Sequence, residues 1–313
     1  VPSWHEERTL REELPVVVLF DGWTSFFRDR VVPWRITMAG KTRQQLEEQV
    51  LPGYVELQRW YGAKGEPVKR ARLTDHLIWE RDKRRWMVAL FDMESGSAAP
   101  SQSAPYFVPL SLDWESDNDN TDNARARERS AATIAKARQQ ASVGMITDAF
   151  FDDTFCRALL HAIGEGGEIA MAQGRLRFVP TAAFKTLAGE GVDQLAVSAP
   201  LAQSSNTVVP IGERLFLKGY RRLRSGTNPE FEVGSFLTDV AAFENCVPVA
   251  GAVNYVAADG SVTALALLQA YVSNQGDGWS YTVEYLDRQL ADARDAAGGE
   301  PADLHGTYCT LMS

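Results

Sequence analysis

Lys218 closes the apolar run Leu215-Phe216-Leu217. A lysine at the end of a buried strand is a flexible point charge at the edge of a core, well suited to holding a phosphate. Glu230 and Glu232 follow after a turn, in a stretch that reads as the start of a helix. Either carboxylate can hold the lysine extended. Upstream, Gln203-Ser204-Ser205-Asn206-Thr207 offers small hydroxyls, amides and accessible backbone N–H groups, the donors that a polyphosphate needs. Downstream, Leu267-Leu268-Gln269-Ala270-Tyr271-Val272 reads as a buried strand ending in an exposed backbone, a place for a flat base. Each piece has an ordinary reading: a solvated strand end, a carboxylate paired with a helix dipole, a turn. Together and in this order they describe a nucleoside triphosphate site.

The elements around these residues must place them side by side. Short strands are expected at 207–211 and 214–219, and a helix from Asn228-Pro229 to about Phe243. Two further strands are expected at 251–257 and 263–272, joined at Asp259-Gly260, a strong hairpin dipeptide. Strand, turn, strand, helix, strand, hairpin, strand resembles the small lobe of protein-kinase-like ATP-binding folds, with the Ser/Asn cluster in place of a Gly-rich loop.

The first half reads differently. Residues 15–20 look like a strand. Residues 42–60 repeat Leu46, Val50, Tyr54 and Leu57 at helical spacing, with Pro52 expected to kink or split the helix. Strands are expected at 70–80 and 84–92 around an Asp82-Lys83 turn, a third strand at 106–114, and a loop at 95–105. The acidic tract 115–123 reads as a solvated loop tip; it lacks the glycine and closing glutamate of an EF-hand. Residues 125–142 suit a basic helix or a lead-in to a strand. Residues 147–163 read as an amphipathic helix with Phe150, Phe151, Phe155 and Leu159 on one face, followed by a loop at 164–174 and a strand at 176–179. The tryptophans Trp4, Trp23 and Trp34 imply that the opening segment packs on something, its own domain or one upstream.

Composition sets outer limits. The 313 residues suit about two domains. The formal charge of −9 argues against a nucleic-acid surface. No run nears the ~20 apolar residues of a membrane helix, and no export signal is present, which places the chain in the cytoplasm with no membrane partner. Three cysteines and four histidines, all scattered, give neither a disulfide framework nor metal-ligand spacing. Val1 in place of Met favours a cut from a longer chain, although a processed or incomplete start would look the same.

Several runs resemble bacterial maltokinases: 203–209, 214–223, 228–234, 267–279, and Gln58-Arg59-Trp60-Tyr61-Gly62-Ala63-Lys64-Gly65 of that family's N-terminal cap. The resemblance covers about residues 40–313, and 2–7 and 14–19 resemble the junction of fused trehalose synthase–maltokinase proteins. It implies an α+β fold: a junction segment (1–40), a cap with antiparallel sheet and helices (41–140), a kinase-like small lobe (141–272) and the first helices of a large lobe (273–313). It implies ATP-dependent phosphorylation of maltose to maltose 1-phosphate, with magnesium held by groups in the large lobe. By position, Lys218 meets the α/β-phosphates, Glu232 pairs with it in preference to Glu230, Gln203 to Thr207 form the phosphate loop, and Gln269 to Val272 face the adenine. Arg59, Trp60 and Lys64 belong to the cap motif with no assigned role. Trp60-Tyr61 is read as core or as a sugar or docking surface.

A phosphotransferase also needs an aspartate to take the acceptor proton, and metal ligands beyond the hinge. His305 is followed by Gly306-Thr307 and no aspartate. The chain is therefore read as the N-terminal part of a maltokinase, with no catalytic residue and no metal ligand of its own, and inactive alone. Two other readings stand beside it. One is a non-catalytic module that docks on a trehalose synthase domain or protein. The other is a different small-molecule kinase of the same fold, of aminoglycoside or choline type, against which the cap motif argues.

Overall fold

The computed structural model describes residues 14–27, 38–96, 102–114, 132–201, 205–273 and 278–295. Val1–Tyr271 form one compact unit and Val272–Ser313 a second. The fold is α+β.

The first unit holds two sheets. One is built from β1 (Val16–Val18), β2 (Val68–Arg81), β3 (Arg84–Ser95), β4 (Gln102–Phe107), β5 (Leu110–Trp114), β6 (Thr133–Gln139) and β7 (Ser142–Asp148). Its order is β1-β6-β7-β5-β3-β2, with β4 also on β3; β1 runs parallel to β6 and the other pairs are antiparallel. The β2–β3 hairpin turns through Asp82 and Lys83, both at positive φ, the backbone a two-residue type I′ turn demands.

Both faces of this sheet are covered, and β3 shows why. Its even positions Trp86, Val88 and Leu90 enter one core, and its odd positions Met87, Ala89, Phe91 and Met93 enter another. A strand with period-two side chains that is apolar in both phases must be buried twice. The second of these cores is closed by α1 (Met38–Gln45), a π-turn (Leu46–Val50) and α2 (Leu51–Val55). Leu51 N–H bonds the Leu46 carbonyl five residues back, next to Pro52, whose ring nitrogen has no proton to donate. Pro52 thus splits the helix as expected. The helix stops at Val55, however, so Leu46, Val50 and Tyr54 are buried while Leu57 is exposed. Trp23 lies in this same core, so the opening segment packs on its own sheet. Trp4, Trp34 and the acidic tract 115–123 lie outside the described residues.

The second sheet is fully antiparallel, in the order β10-β11-β13-β12-β9-β8. Its strands are β8 (Gly167–Ala170), β9 (Arg175–Pro180), β10 (Thr207–Ile211), β11 (Leu215–Gly219), β12 (Val249–Val256) and β13 (Val262–Ala270). Helix α3 (Asp153–Glu165) packs between the two sheets, capped by Asp152, whose carboxylate accepts from Thr154 N–H at 2.9 Å. A short α4 (Phe184–Ala188) follows β9. Helix α5 (Pro229–Ser235) continues through a π-turn (Phe236–Val240) and covers the outer face of the second sheet, where Phe231 meets Val249, Ala252 and Leu267. The second unit contains α6 (Gly278–Asp295), with Tyr281 and Tyr285 rings 6.5 Å apart.

Three expectations are corrected here, and one open alternative is decided. The strand foreseen at 106–114 is two strands, because Pro109 has no N–H for the ladder. Of the helix expected at 147–163, residues 147 and 148 end the strand β7 (Ser142–Asp148); Asp148 starts a 3₁₀ turn and Asp152 caps the helix that follows. The loop at 164–174 contains β8, which pairs with β9. Of 125–142, residues 132–142 are described; they hold the strand β6 and the turn into β7, the strand alternative and not the helix.

Candidate nucleotide site

β11 alternates strictly: Leu215, Leu217 and Gly219 are buried, and Phe216 and Lys218 face the other way. Lys218 sits opposite Val208 on β10 and Leu267 on β13. Its aliphatic stem therefore lies over the sheet while the amine reaches out, with the side chain 22% exposed. Gly219 is required by packing, since a Cβ there would come within 2.3 Å of the Phe150 ring.

The amine is held. Lys218 Nζ lies 2.8 Å from Glu230 Oε1 and 2.7 Å from Oε2, and Tyr220 donates its hydroxyl to Oε2 at 2.8 Å. Burial, and then the Glu230 carboxylate, push the Tyr220 phenol well above its ordinary range, so it stays a donor. The ammonium also stands 5.5 Å from the Tyr220 ring centre. Glu230 owes its place to the helix start: Asn228 caps α5 by accepting from Phe231 N–H at 3.1 Å, and Pro229 opens the first turn. The ion pair is partly exposed and contributes roughly 0–1 kcal/mol. It orients the lysine more than it stabilises the fold.

The expectation that Glu232 is the partner is corrected by this geometry. One turn of helix is 3.6 residues, so positions 230 and 232 point about 200° apart. Phe231 faces the sheet, Glu230 faces Lys218, and Glu232 is exposed on the far side.

The other named residues divide. Gln203 and Ser204 lie outside the described residues. Ser205 is exposed and Asn206 half-buried, next to the first residue of β10. Thr207 is buried, and its hydroxyl accepts from Arg221 Nε at 2.6 Å, so its side chain faces the protein interior. Gln269 and Ala270 end β13, opposite Phe216 and Leu215. Ala270 N–H donates to the Pro248 carbonyl and Tyr271 N–H to the Arg214 carbonyl, both at 2.8 Å. These two donors are spent within the sheet. The Tyr271 ring stands 4.9 Å from Phe216, an aromatic pair at the strand end. Val272 opens the second unit. Among the described residues, no group of three or more His, Cys, Asp or Glu side chains is placed to hold a metal ion. No helix among them is long and apolar enough to cross a membrane.

The residue that sequence reading passed over is Arg221. It is fully buried, as is Asp148 at the end of β7, and Arg221 Nη2 lies 2.7 Å from Asp148 Oδ2. The contact is a close ion pair without hydrogen-bond alignment. Coulombic attraction tolerates that misalignment. Tyr54 hydroxyl and Phe150 N–H both donate to Asp148 at 3.1 Å, and the guanidinium stands 5.1 Å from the Trp60 ring and 4.5 Å from the Phe150 ring. Beyond β11 the chain leaves the second sheet and pairs with the first: Phe107 N–H bonds the Arg221 carbonyl and Leu223 N–H the Pro105 carbonyl. Arg222 lies over Gly62, where a Cβ would meet its Nη1 at 2.9 Å. The cap motif thus packs on the segment that follows Lys218. Trp60 and Tyr61 are core, not surface. Lys64 donates to the Gln58 carbonyl at 2.9 Å, and burial, then the like charge of Arg59, hold its amine below the usual range.

A second tie is Asp75. Buried at a register shift in β2, it accepts from Gln173 N–H, Gly174 N–H and Tyr255 hydroxyl, each at 2.9 Å. The phenol of Tyr255 is pushed up to about 12, by burial first and by the Asp75 hydrogen bond next.

Residues 54–152 match the maltokinase N-terminal cap domain. That span runs from Tyr54 in α2 to Asp152, the α3 cap. Among solved structures, a glucosamine kinase in complex with glucosamine, ADP and inorganic phosphate is 17% identical, with a TM-score of 0.42 over 78% of this chain and 44% of its own. A second glucosamine kinase structure is 18% identical, with a TM-score of 0.40 over 80% of this chain and 46% of its own. The chain spans less than half the length of either.

Proposed function

We propose that this chain is the cap and nucleotide-binding lobe of a maltokinase-type sugar kinase, whose activity is transfer of the ATP γ-phosphoryl group to the anomeric hydroxyl of maltose. The observation that carries the reading is the Lys218–Glu230 pair at the open end of β11, in a sheet contiguous with a cap of the maltokinase type. In this reading Lys218 meets the phosphates as a point charge, Glu230 holds it extended, and Tyr220 holds Glu230. Ser205 and Asn206 border the phosphates. The base lies at the end of β13, where the Ala270 and Tyr271 N–H groups are already spent within the sheet. Magnesium would neutralise the phosphates, and no residue of this chain is assigned to it. The acceptor-activating aspartate is likewise assigned to none of these residues. Domain limits follow the sheets: a cap through Asp148, a nucleotide lobe to Tyr271, and the start of a large lobe thereafter. The cytoplasm is the compartment where ATP and this substrate meet.

Titration calorimetry with ADP tests the assignment. The 313-residue chain is expected to bind ADP, and Lys218→Ala to weaken that binding at least tenfold. Equal affinities of parent and variant overturn it. Incubated with ATP, magnesium and maltose, the chain alone is expected to make no maltose 1-phosphate.

A further inference from the structure

We infer that Arg221 is a positioning residue for the nucleotide phosphates, locking the start of β10 to the lysine strand and taking its own position from the cap. This rests on the nucleotide reading of Lys218 given above. In the antiparallel β10–β11 pair, Val208 lies opposite Lys218 and Thr207 opposite Gly219. That is the last rung of the ladder. Arg221 lies one diagonal step beyond it, on the same face as Thr207, where a long side chain reaches across. Its Nε donates to Thr207 Oγ1 at 2.6 Å, so the clamp closes the end of the sheet from which Lys218 projects.

The rest of the guanidinium belongs to the other sheet. Asp148, the Phe107 carbonyl at 3.4 Å, and the Trp60 and Phe150 rings surround it. A planar cation whose five donors are spread over three nitrogens can face a hydroxyl, a carboxylate and a carbonyl on different sides, whereas an ammonium has its three donors on one nitrogen. A buried ion pair adds little net stability compared with apolar packing, and its best-attested use is to fix one arrangement. Here that arrangement is the separation between Ser205-Asn206, immediately before Thr207, and the Lys218 amine. A phosphate held between them is sensitive to that separation, whereas the base and ribose are not.

The experiment compares ADP with adenosine, so that a general loss of structure is told from a loss of phosphate placement. Thr207→Val keeps the shape and removes the hydroxyl. Thr207→Ser restores it. Asp148→Asn perturbs Arg221 from the cap side, at Nη2 and not at the Nε that serves Thr207. Calorimetry is run well below each variant's melting temperature. Thr207→Val and Asp148→Asn are each expected to weaken ADP at least fivefold and adenosine less than twofold, and Thr207→Ser to bind ADP as the parent does. Equal weakening of ADP and adenosine overturns the inference, as does unchanged ADP affinity in Thr207→Val or Asp148→Asn while Lys218→Ala loses it. If Lys218→Ala also binds ADP like the parent, the nucleotide reading itself fails and this inference falls with it.

Discussion

Removing the charge of Asp148 tests how the two sheets are joined. Asp148→Asn keeps the volume and one carbonyl oxygen. That oxygen can still accept from Tyr54 hydroxyl or Phe150 N–H, whichever the amide orientation favours. What cannot be kept is the negative charge 2.7 Å from a guanidinium that is itself fully buried. Arg221 cannot shed its proton, and it cannot reach water without opening the seam between β4 and the segment after β11. Breaking a buried pair from one side costs about 3–5 kcal/mol. Two features place this case at the low end. The pair lacks hydrogen-bond alignment, and Thr207 Oγ1 and two aromatic faces continue to solvate the cation. The expected loss is therefore about 3 kcal/mol, read from the urea midpoint by the fluorescence of buried Trp60 and Trp86. The partner experiment replaces both residues, Asp148→Leu with Arg221→Met. Removing both charges together is expected to cost less than Asp148→Asn alone, because no charge is left uncompensated. A loss under about 1 kcal/mol for Asp148→Asn would mean that Arg221 is solvated some other way, and would refute the account of the joint.

Other outcomes follow from the same geometry. Glu230→Gln is expected to weaken ADP binding several-fold while Glu232→Gln leaves it unchanged; the reverse order in calorimetry would restore Glu232 as the partner of Lys218. Gly219→Ala drives a methyl into the Phe150 ring and is expected to cost about 1–3 kcal/mol in thermal or urea unfolding. Glu47 is buried, which raises its pKa, yet Arg70 and Arg43 side chains and Leu73 N–H outweigh that and hold its carboxyl below the ordinary 4.5. The stability it contributes is complete above pH 4.5 and disappears as pH falls through the lower folded value. Urea midpoints between pH 6 and 3 are expected to fall less steeply for Glu47→Gln than for the parent; parallel curves would count against the pairing.

The order of elements from residue 207 onward was legible because the signals there are local. Alternation marks β10 and β11, Asn228-Pro229 marks a helix start, and Asp259-Gly260 marks a hairpin. Lys218 at a strand end was readable for the same reason. So was the split at Pro52, a covalent property of one residue. The boundaries of the first half were less legible where one residue overrides a pattern, as Pro109 does in dividing a single apolar run.

Other features depend on distance in space. Two glutamates two positions apart are equivalent candidates in sequence, and only the docking of Phe231 on β12 and β13 turns Glu230 toward the lysine. Trp60 and Tyr61 are aromatic whether they face water or core, and the choice is made by Tyr106, whose ring meets both, and by Arg221 over Trp60. Arg221 carried a faint signal, a charged residue in the buried phase of the 215, 217, 219 alternation. Its meaning required Asp148, far away in the chain and on another sheet. Composition and local periodicity determine which elements form and which residues are chemically able to act. Which of those residues meet is decided by the pairing of sheet edges, because a charge or an aromatic ring takes its role from the neighbour that tertiary packing supplies.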